Sequence, residues 1–150
     1  MRAVIQRVSE AAVKVEGKTE GEISKGLLVL VGIENEDTDE DAEWLARKIG
    51  SLRIFDDSEG VMNLSVNEIE GKVLAISQFT LHAKTKKGTR PSYIHAAKPD
   101  VAIPIYEKFK LLLAANVEAG IESGVFGADM KVSLINDGPV TITIDTKNKE

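Results

Sequence analysis

Cysteine is absent from the 150 residues, which excludes disulfides, thiol nucleophiles and thiolate metal sites. That fits an intracellular protein, here expected to be cytoplasmic. Histidine occurs only twice, at His82 and His95, and neither HExxH nor GxSxG is present. A zinc centre therefore has too few ligands, and serine-triad hydrolysis has no framework. GxGxxG is missing as well, so Rossmann dinucleotide binding is not expected. No apolar run approaches a membrane span, and Ala3-Val4-Ile5 after Arg2 is too short for a signal peptide, so no membrane association is expected. Positive charge is in deficit: 19 Lys and Arg stand against 24 Asp and Glu, a net charge of −5. That argues against a generic nucleic-acid-coating surface, but leaves room for a local basic patch that grips one end of a nucleic acid.

Two partial motifs fail on inspection. Gly21 and Gly26 have the separation of a phosphate loop, but Leu27 stands where its lysine must be. Asp37, Asp39 and Asp41 open like a calcium loop, yet Ala42 occupies the turn-glycine position and Lys48 that of the bidentate Glu. A helix start explains the acidic run better. Thr38 is its N-cap, Asp41 completes a capping box, and the carboxylates suit the positive end of the helix dipole. No metal and no cofactor are expected.

What is present reads as one α+β domain over residues 1–150. Residues 2–8 and Val13–Val15 read as strands, and Leu27–Val31 as a central strand buried on both faces. Ala42, Leu45, Ala46 and Ile49 form the stripe of an amphipathic helix ending near Gly50. Leu52–Phe55, Val61–Val66 and the run from Val73 read as further strands of a mostly antiparallel meander. Residues 83–97 form a polar, basic surface loop. Pro99 and Pro104 suit only the start of a second helix, with Ile105, Phe109, Leu112, Leu113 and Val117 in its body and Gly120 as its stop. Gly120–Gly127 reads as irregular. Val132 to Ile144, interrupted by Asn136-Asp137-Gly138-Pro139, reads as a terminal hairpin or sharp reversal.

With the usual catalytic kits excluded, two places remain for chemistry. In the first, Val73–Leu81, an apolar run gives way to alternation, with Gln78 and Thr80 on one side and Phe79 and Leu81 on the other. By spacing alone this is an ordinary half-buried strand end. His82 continues the alternation and reads as solvent-facing. The second is Gly138-Pro139, which in isolation is a turn dipeptide, although X–Pro also tolerates a cis bond. Such a site could hydrolyse only an already reactive bond, with backbone N–H groups stabilising the oxyanion.

Several separated stretches then coincide. Ser77-Gln78-Phe79-Thr80-Leu81, paired with Asn136-Asp137-Gly138-Pro139-Val140-Thr141, resembles the double signature of the D-aminoacyl-tRNA deacylases. The opening Met1–Val8 segment, Lys87-Gly88 with Arg90-Pro91-Ser92, and Phe126-Gly127-Ala128-Asp129-Met130 resemble the same family. The likeness runs to about residue 145, leaving a short charged tail at 146–150. It implies a homodimeric, barrel-like fold and a carboxylic ester hydrolase. The enzyme frees D-amino acids, and glycine mischarged on tRNA(Ala), from the 3′ acceptor end of tRNA, and L-aminoacyl-tRNA is excluded.

Carried onto this chain, the resemblance places Ser77, Gln78, Phe79 and Thr80 in the catalytic pocket. Gly138 and Pro139 become a chiral gate contributed across the dimer interface, Arg7 holds that gate, and Phe126 and Met130 are walls. Lys84, Lys86, Lys87 and Arg90 would hold acceptor-end phosphates. Two routes to hydrolysis are open: Thr80 Oγ as nucleophile, or the substrate's ribose 2′-OH assisting a water. The second is preferred, because an unassisted threonine is a poor nucleophile at neutral pH. Rival readings are a non-catalytic RNA-end or small-molecule binder, and a metal-dependent hydrolase using Glu34–Asp41.

Overall fold

The computed structural model describes residues 1–150. Its frame is one curled sheet with two helices on its outer face. The strands are β1 (Arg2–Val15), β2 (Lys18–Ile23), β3 (Gly26–Gly32), β6 (Lys72–Ser77), β7 (Ile121–Ser123) and β8 (Met130–Asp145), in the order β2-β1-β3-β6-β7 with β8 on the free side of β1. A separate ribbon pairs β4 (Phe55–Asp56) with β5 (Met62–Leu64). The helices are α1 (Asp39–Ser51) and α2 (Pro99–Asn116), which pack on each other. The β1 pairings with β2, β3 and β8 are antiparallel, whereas β3–β6 and β6–β7 are parallel. Because β2 also packs against β6 and β7, the sheet nearly closes into a barrel.

Strand alternation feeds two cores. Leu27, Val29 and Val31 face outward with Val73 and Ala75, against Leu45, Ile49, Tyr106, Phe109 and Leu113 of the helices. Leu28, Leu74 and Ile76 face into the curl with Val8, Val13 and Ile23. Each fully buried Leu, Ile or Phe stabilises the fold by about 1.5–3 kcal/mol. The doubly buried β3 is thus the spine that its apolar sequence predicts.

Helix α1 follows its pattern, with Ala42, Leu45, Ala46 and Ile49 buried. The Thr38 N–H donates to Asp41 Oδ2 at 2.9 Å. Helix α2 starts at Pro99, as its missing N–H favours, but Pro104 lies inside the helix rather than at its start.

Four expectations need correction. β1 is one 14-residue strand instead of two, pairing with β3 and then β2 on one side while β8 follows its whole length on the other. The meander breaks where β3 meets β6 in parallel across the α1 connection; Leu52–Phe55 and Val61–Val66 shrink to the short β4 and β5. Gly120–Gly127 contains the regular β7. Finally, the C-terminal segment does not reverse. β8 runs antiparallel to β1 throughout, pairing Val8 with Asn136 and Gln6 with Thr141. Residues 137–140 have no ladder partner in between, and Asp137, Gly138 and Pro139 stand exposed as a protrusion.

Candidate functional site

β6 delivers Ser77 to the end of the sheet, opposite Val31 on β3. The ladder closes with the Gln78 N–H donating to Val31 O at 2.7 Å. The chain then winds into a 3-10 turn, Phe79–His82, so the expected strand alternation of residues 78–81 does not occur. The Leu81 N–H bonds Gln78 O at 3.3 Å and the Ala83 N–H bonds Thr80 O at 3.0 Å. Phe79 and Thr80 open the turn, where leading N–H groups have no acceptor within it. The turn seats on Gly32: a Cβ there would stand 2.8 Å from Gln78 O and 3.0 Å from His82 Cδ2. Only glycine lets β3 and the turn approach so closely.

His82 is therefore not solvent-facing. It is 2% exposed, its Nδ1 lies 3.9 Å from Glu34 Oε2, and neither ring nitrogen has a hydrogen-bond partner. Its place under the turn, packed by Gly32, overrides the preference of a polar ring for water.

Ser77, Gln78 and Phe79 line a cavity of about 260 Å³ whose facing wall includes Phe126 and Met130. Phe126 is backed by Tyr106, with ring centroids 5.6 Å apart. The Tyr106 hydroxyl donates to Ala75 O at 3.2 Å, and burial pushes its pKa up, keeping it neutral. Thr80 is not among the lining residues; its Oγ1 sits 2.5 Å from Gln78 Nε2, accepting from the amide. No base reaches that hydroxyl, since His82 faces Glu34. Larger depressions exist beside Trp44 and Ile142 (about 580 Å³) and beside Glu10 and Ser133 (about 770 Å³). Neither gathers any of the candidate pocket side chains.

Arg7, Gly138 and Pro139 form a second cluster. Arg7 is 7% exposed and donates from Nε to Asp137 O at 2.8 Å, and from Nη1 to Ile54 O at 2.9 Å and Asp56 Oδ1 at 3.2 Å. Asn136 braces the other side: its Oδ1 accepts from the Val140 N–H at 2.9 Å and its Nδ2 donates to Thr141 Oγ1 at 3.0 Å. The Gly138-Pro139 bond is cis, and Gly138 has φ +143°, a conformation reserved for glycine. A Cβ on Gly138 would stand 2.8 Å from Val140 Cγ2 and 3.1 Å from Arg7 Nη2.

The two clusters are separate within one chain. Val132, at the cavity, and Gly138 are six residues apart on β8, about 20 Å of extended strand. Arg7 pairs with Leu27, level with Val73 and four residues from the Ser77 end, about 13 Å along the sheet.

Lys84, Lys86, Lys87 and Arg90 lie exposed on the loop beyond the turn. The acidic run has other duties. Asp37 is buried against the Met1 amino group, and Asp41 receives Thr38 and Lys147. No three His, Asp or Glu side chains converge as a metal site. Two contributors were missed in the sequence: Asn136 as the brace of the protrusion, and Tyr93, whose ring meets Phe79 edge-on at 5.2 Å. An aromatic beside Ile94 in an otherwise polar loop was the available signal.

Residues 4–145 match the family described as D-Tyr-tRNA(Tyr) deacylase. A D-aminoacyl-tRNA deacylase of Bacteroides fragilis (strain YCH46) is 61% identical over 150 residues, covering all of both chains. The chain belongs to the D-aminoacyl-tRNA deacylase family. It is accordingly a hydrolase that acts on D-aminoacyl-tRNA. A namesake from Akkermansia muciniphila is 60% identical over the same full length. Among solved structures, one described as a c-Myc DNA unwinding element binding protein superposes with a TM-score of 0.91 at 39% identity, covering 97% of this chain and 98% of the other. A probable eukaryotic D-amino acid tRNA deacylase, 18% identical with a TM-score of 0.82, shares the fold, covering 95% of this chain and 97% of its own. No helix is long and apolar enough to cross a membrane.

Proposed function

We propose that the cavity beside Ser77, Gln78 and Phe79 receives the aminoacyl ester at the 3′ end of tRNA, and that the Gly138-Pro139 protrusion of a second copy closes over it as a chiral gate. The observation that carries this is the pair of separate clusters. One chain holds an open, apolar-walled cavity beside the end of β6, and an exposed, rigidly braced protrusion midway along β8.

An aminoacyl ester is activated, so a site without a triad suffices. Water attacks the carbonyl carbon, the ribose 2′-OH assists its deprotonation, and the N–H groups of Phe79 and Thr80 receive the negative charge on the carbonyl oxygen. The bond to the 3′ oxygen then breaks, and that oxygen takes the proton, leaving free D-amino acid and tRNA. Main chain held by Arg7 and Asn136 cannot move aside, so an L side chain meets the turn whereas a D side chain points outward. Glycine, with no side chain, passes, which extends the activity to glycyl-tRNA carried on tRNA(Ala). Rejection by clash rather than by attraction is an economical way to separate mirror images. The reaction would take place in the cytoplasm, where tRNA is charged.

The test is deacylation of matched D-, L- and glycyl-tRNA by the wild type and by Gly138→Phe. The wild type should release D-amino acids and glycine and leave the L-ester intact, and the variant should lose turnover of the D-ester. A protein that binds all three and releases nothing is a binder instead. Equal release of D- and L-amino acids by the wild type would remove the gate.

A further inference from the structure

We propose that Tyr93 and Ile94, together with the outer edge of Phe79, form a stacking platform for an unpaired RNA base that precedes the terminal adenosine of the substrate. The inference rests on the cavity reading above and extends the contact surface beyond it.

Three large apolar side chains are exposed here: Phe79 (55%) and Tyr93 (40%) meet edge-on, and Ile94 (77%) follows Tyr93 in the chain. Singly exposed apolar residues are ordinary, but a contiguous group marks a contact surface. The arrangement is fixed rather than floppy. Lys84 and Ser92 exchange backbone hydrogen bonds of 2.8 and 3.0 Å, which closes the base of the loop and sets Tyr93 against Phe79. Phe79 itself belongs to the cavity lining and Tyr93 does not. The aromatic surface therefore starts at the cavity mouth and leads away from it.

Charge identifies the partner. From Ala83 to Lys98 the sequence has no acidic residue and carries Lys84, Lys86, Lys87, Arg90 and Lys98, in a chain of net charge −5. Rings flanked by cations match a strand with flat bases and a phosphate backbone. An apolar protein partner would have no use for the cations, and a duplex would hide its base faces. The single-stranded end of an aminoacyl-tRNA presents both. With the ester and its own adenosine assigned to the cavity at Phe79, the platform is assigned to the base before that adenosine. Loss of an aromatic stacking partner weakens single-strand binding by about fivefold to over a hundredfold, whatever the base.

The experiment uses the full chain and an acceptor-stem minihelix in which 2-aminopurine replaces the base before the terminal adenosine. The fluorescence should be quenched on binding to the wild type. Tyr93→Ala should bind about tenfold more weakly with little quenching, Tyr93→Trp should restore both, and Ile94→Ser should weaken binding by a smaller factor. The plot of log affinity against log salt should keep its slope in Tyr93→Ala and become shallower in Lys87→Ala. In parallel, the preference for D-aminoacyl-minihelix over D-aminoacyl-adenosine, measured as the ratio of kcat/KM, should fall about tenfold in Tyr93→Ala. A ratio and an affinity that match the wild type overturn the platform. A change in oligomeric state of Tyr93→Ala in sedimentation overturns it too, because a second copy then covers the patch. Failure of the wild type to hydrolyse either ester would sink the cavity reading instead, and the quenching result stands apart from it.

Discussion

Thr80 carries the hydroxyl nearest the proposed chemistry, yet its geometry is that of an acceptor. An oxygen held 2.5 Å from the Gln78 amide, with no base in reach, is not poised to attack. Thr80→Ala should therefore keep measurable deacylation, with the loss falling mainly on kcat through a loosened Gln78. Complete loss of turnover in a folded variant, with an acyl adduct trapped on wild-type Thr80, would reverse the assignment. His82 makes a different point. A ring packed on Gly32 leaves a costly cavity when it is deleted, whereas a phenyl in its place keeps most of the packing. His82→Phe should be within about 1 kcal/mol of the wild type, while His82→Ala should lose roughly 2–4 kcal/mol in urea denaturation. Polarity and strand alternation point its side chain to solvent, but the 3-10 turn at Phe79–His82 ends that alternation. The glycine that packs it, Gly32, is fifty residues away in sequence.

At the scale of elements, the first turn of α1 is where charge and stability meet. Burial opposes ionisation of Asp41, but hydrogen bonds from Lys147, Thr146 and Thr38 hold its carboxyl well below the usual carboxylate range. Its hydrogen bond to Asp41 raises the pKa of Lys147 in turn. A depressed carboxylate contributes stability above its unfolded pKa of about 3.9 and loses it as the pH falls through the folded value. Asp41→Asn should cost about 1 kcal/mol at pH 7 as a lost capping contact. The gap to the wild type in thermal melts should narrow steadily as the solution is acidified below about pH 4. This helix was legible because its stripe repeats over three turns. β2 was not, since Lys-Thr-Glu-Gly-Glu-Ile offers one apolar side chain to a strand held by its neighbours. The turn at Phe79–His82 defeats periodicity for a simpler reason. Four residues cannot distinguish a period of two from one of three. The break at Gly138-Pro139 reads as a chain reversal in any sequence, and only the ladder partners on β1 reveal that β8 continues past it.

For the whole molecule, the proposed site is complete only when two copies meet, and a mixed dimer tests that arrangement. Pairing a Gly138→Trp chain with a Gln78→Ala chain unites one intact cavity with one intact gate if the gate crosses between subunits. Each mixed dimer should then recover about half of the wild-type activity with full D-selectivity, a randomly assorted equal mixture about a quarter, although each homodimer is impaired. If the gate closed over its own chain, no intact site would form and the mixture would stay inactive. The basic loop and the central strand were readable in the sequence, and Ser77, Gln78, Phe79, Phe126 and Met130 do line one cavity; the separation of that cavity from the protrusion was not readable. That distance depends on how far β8 runs along β1 before the protrusion.

The acid-free stretch from Ala83 to Lys98 also gives the molecule a direction. With a net charge of −5 and a stretch of five cations without an acid beside one mouth, the protein behaves as a dipole superimposed on a repelling charge. At about 0.01 M salt the screening length is about 30 Å, and an approaching polyanion meets the repulsion of the whole body. Near about 0.1 M it shrinks to about 10 Å, and only the basic mouth is felt. The association rate with tRNA should then climb to a maximum at intermediate ionic strength before declining. A uniformly basic protein would show only the decline.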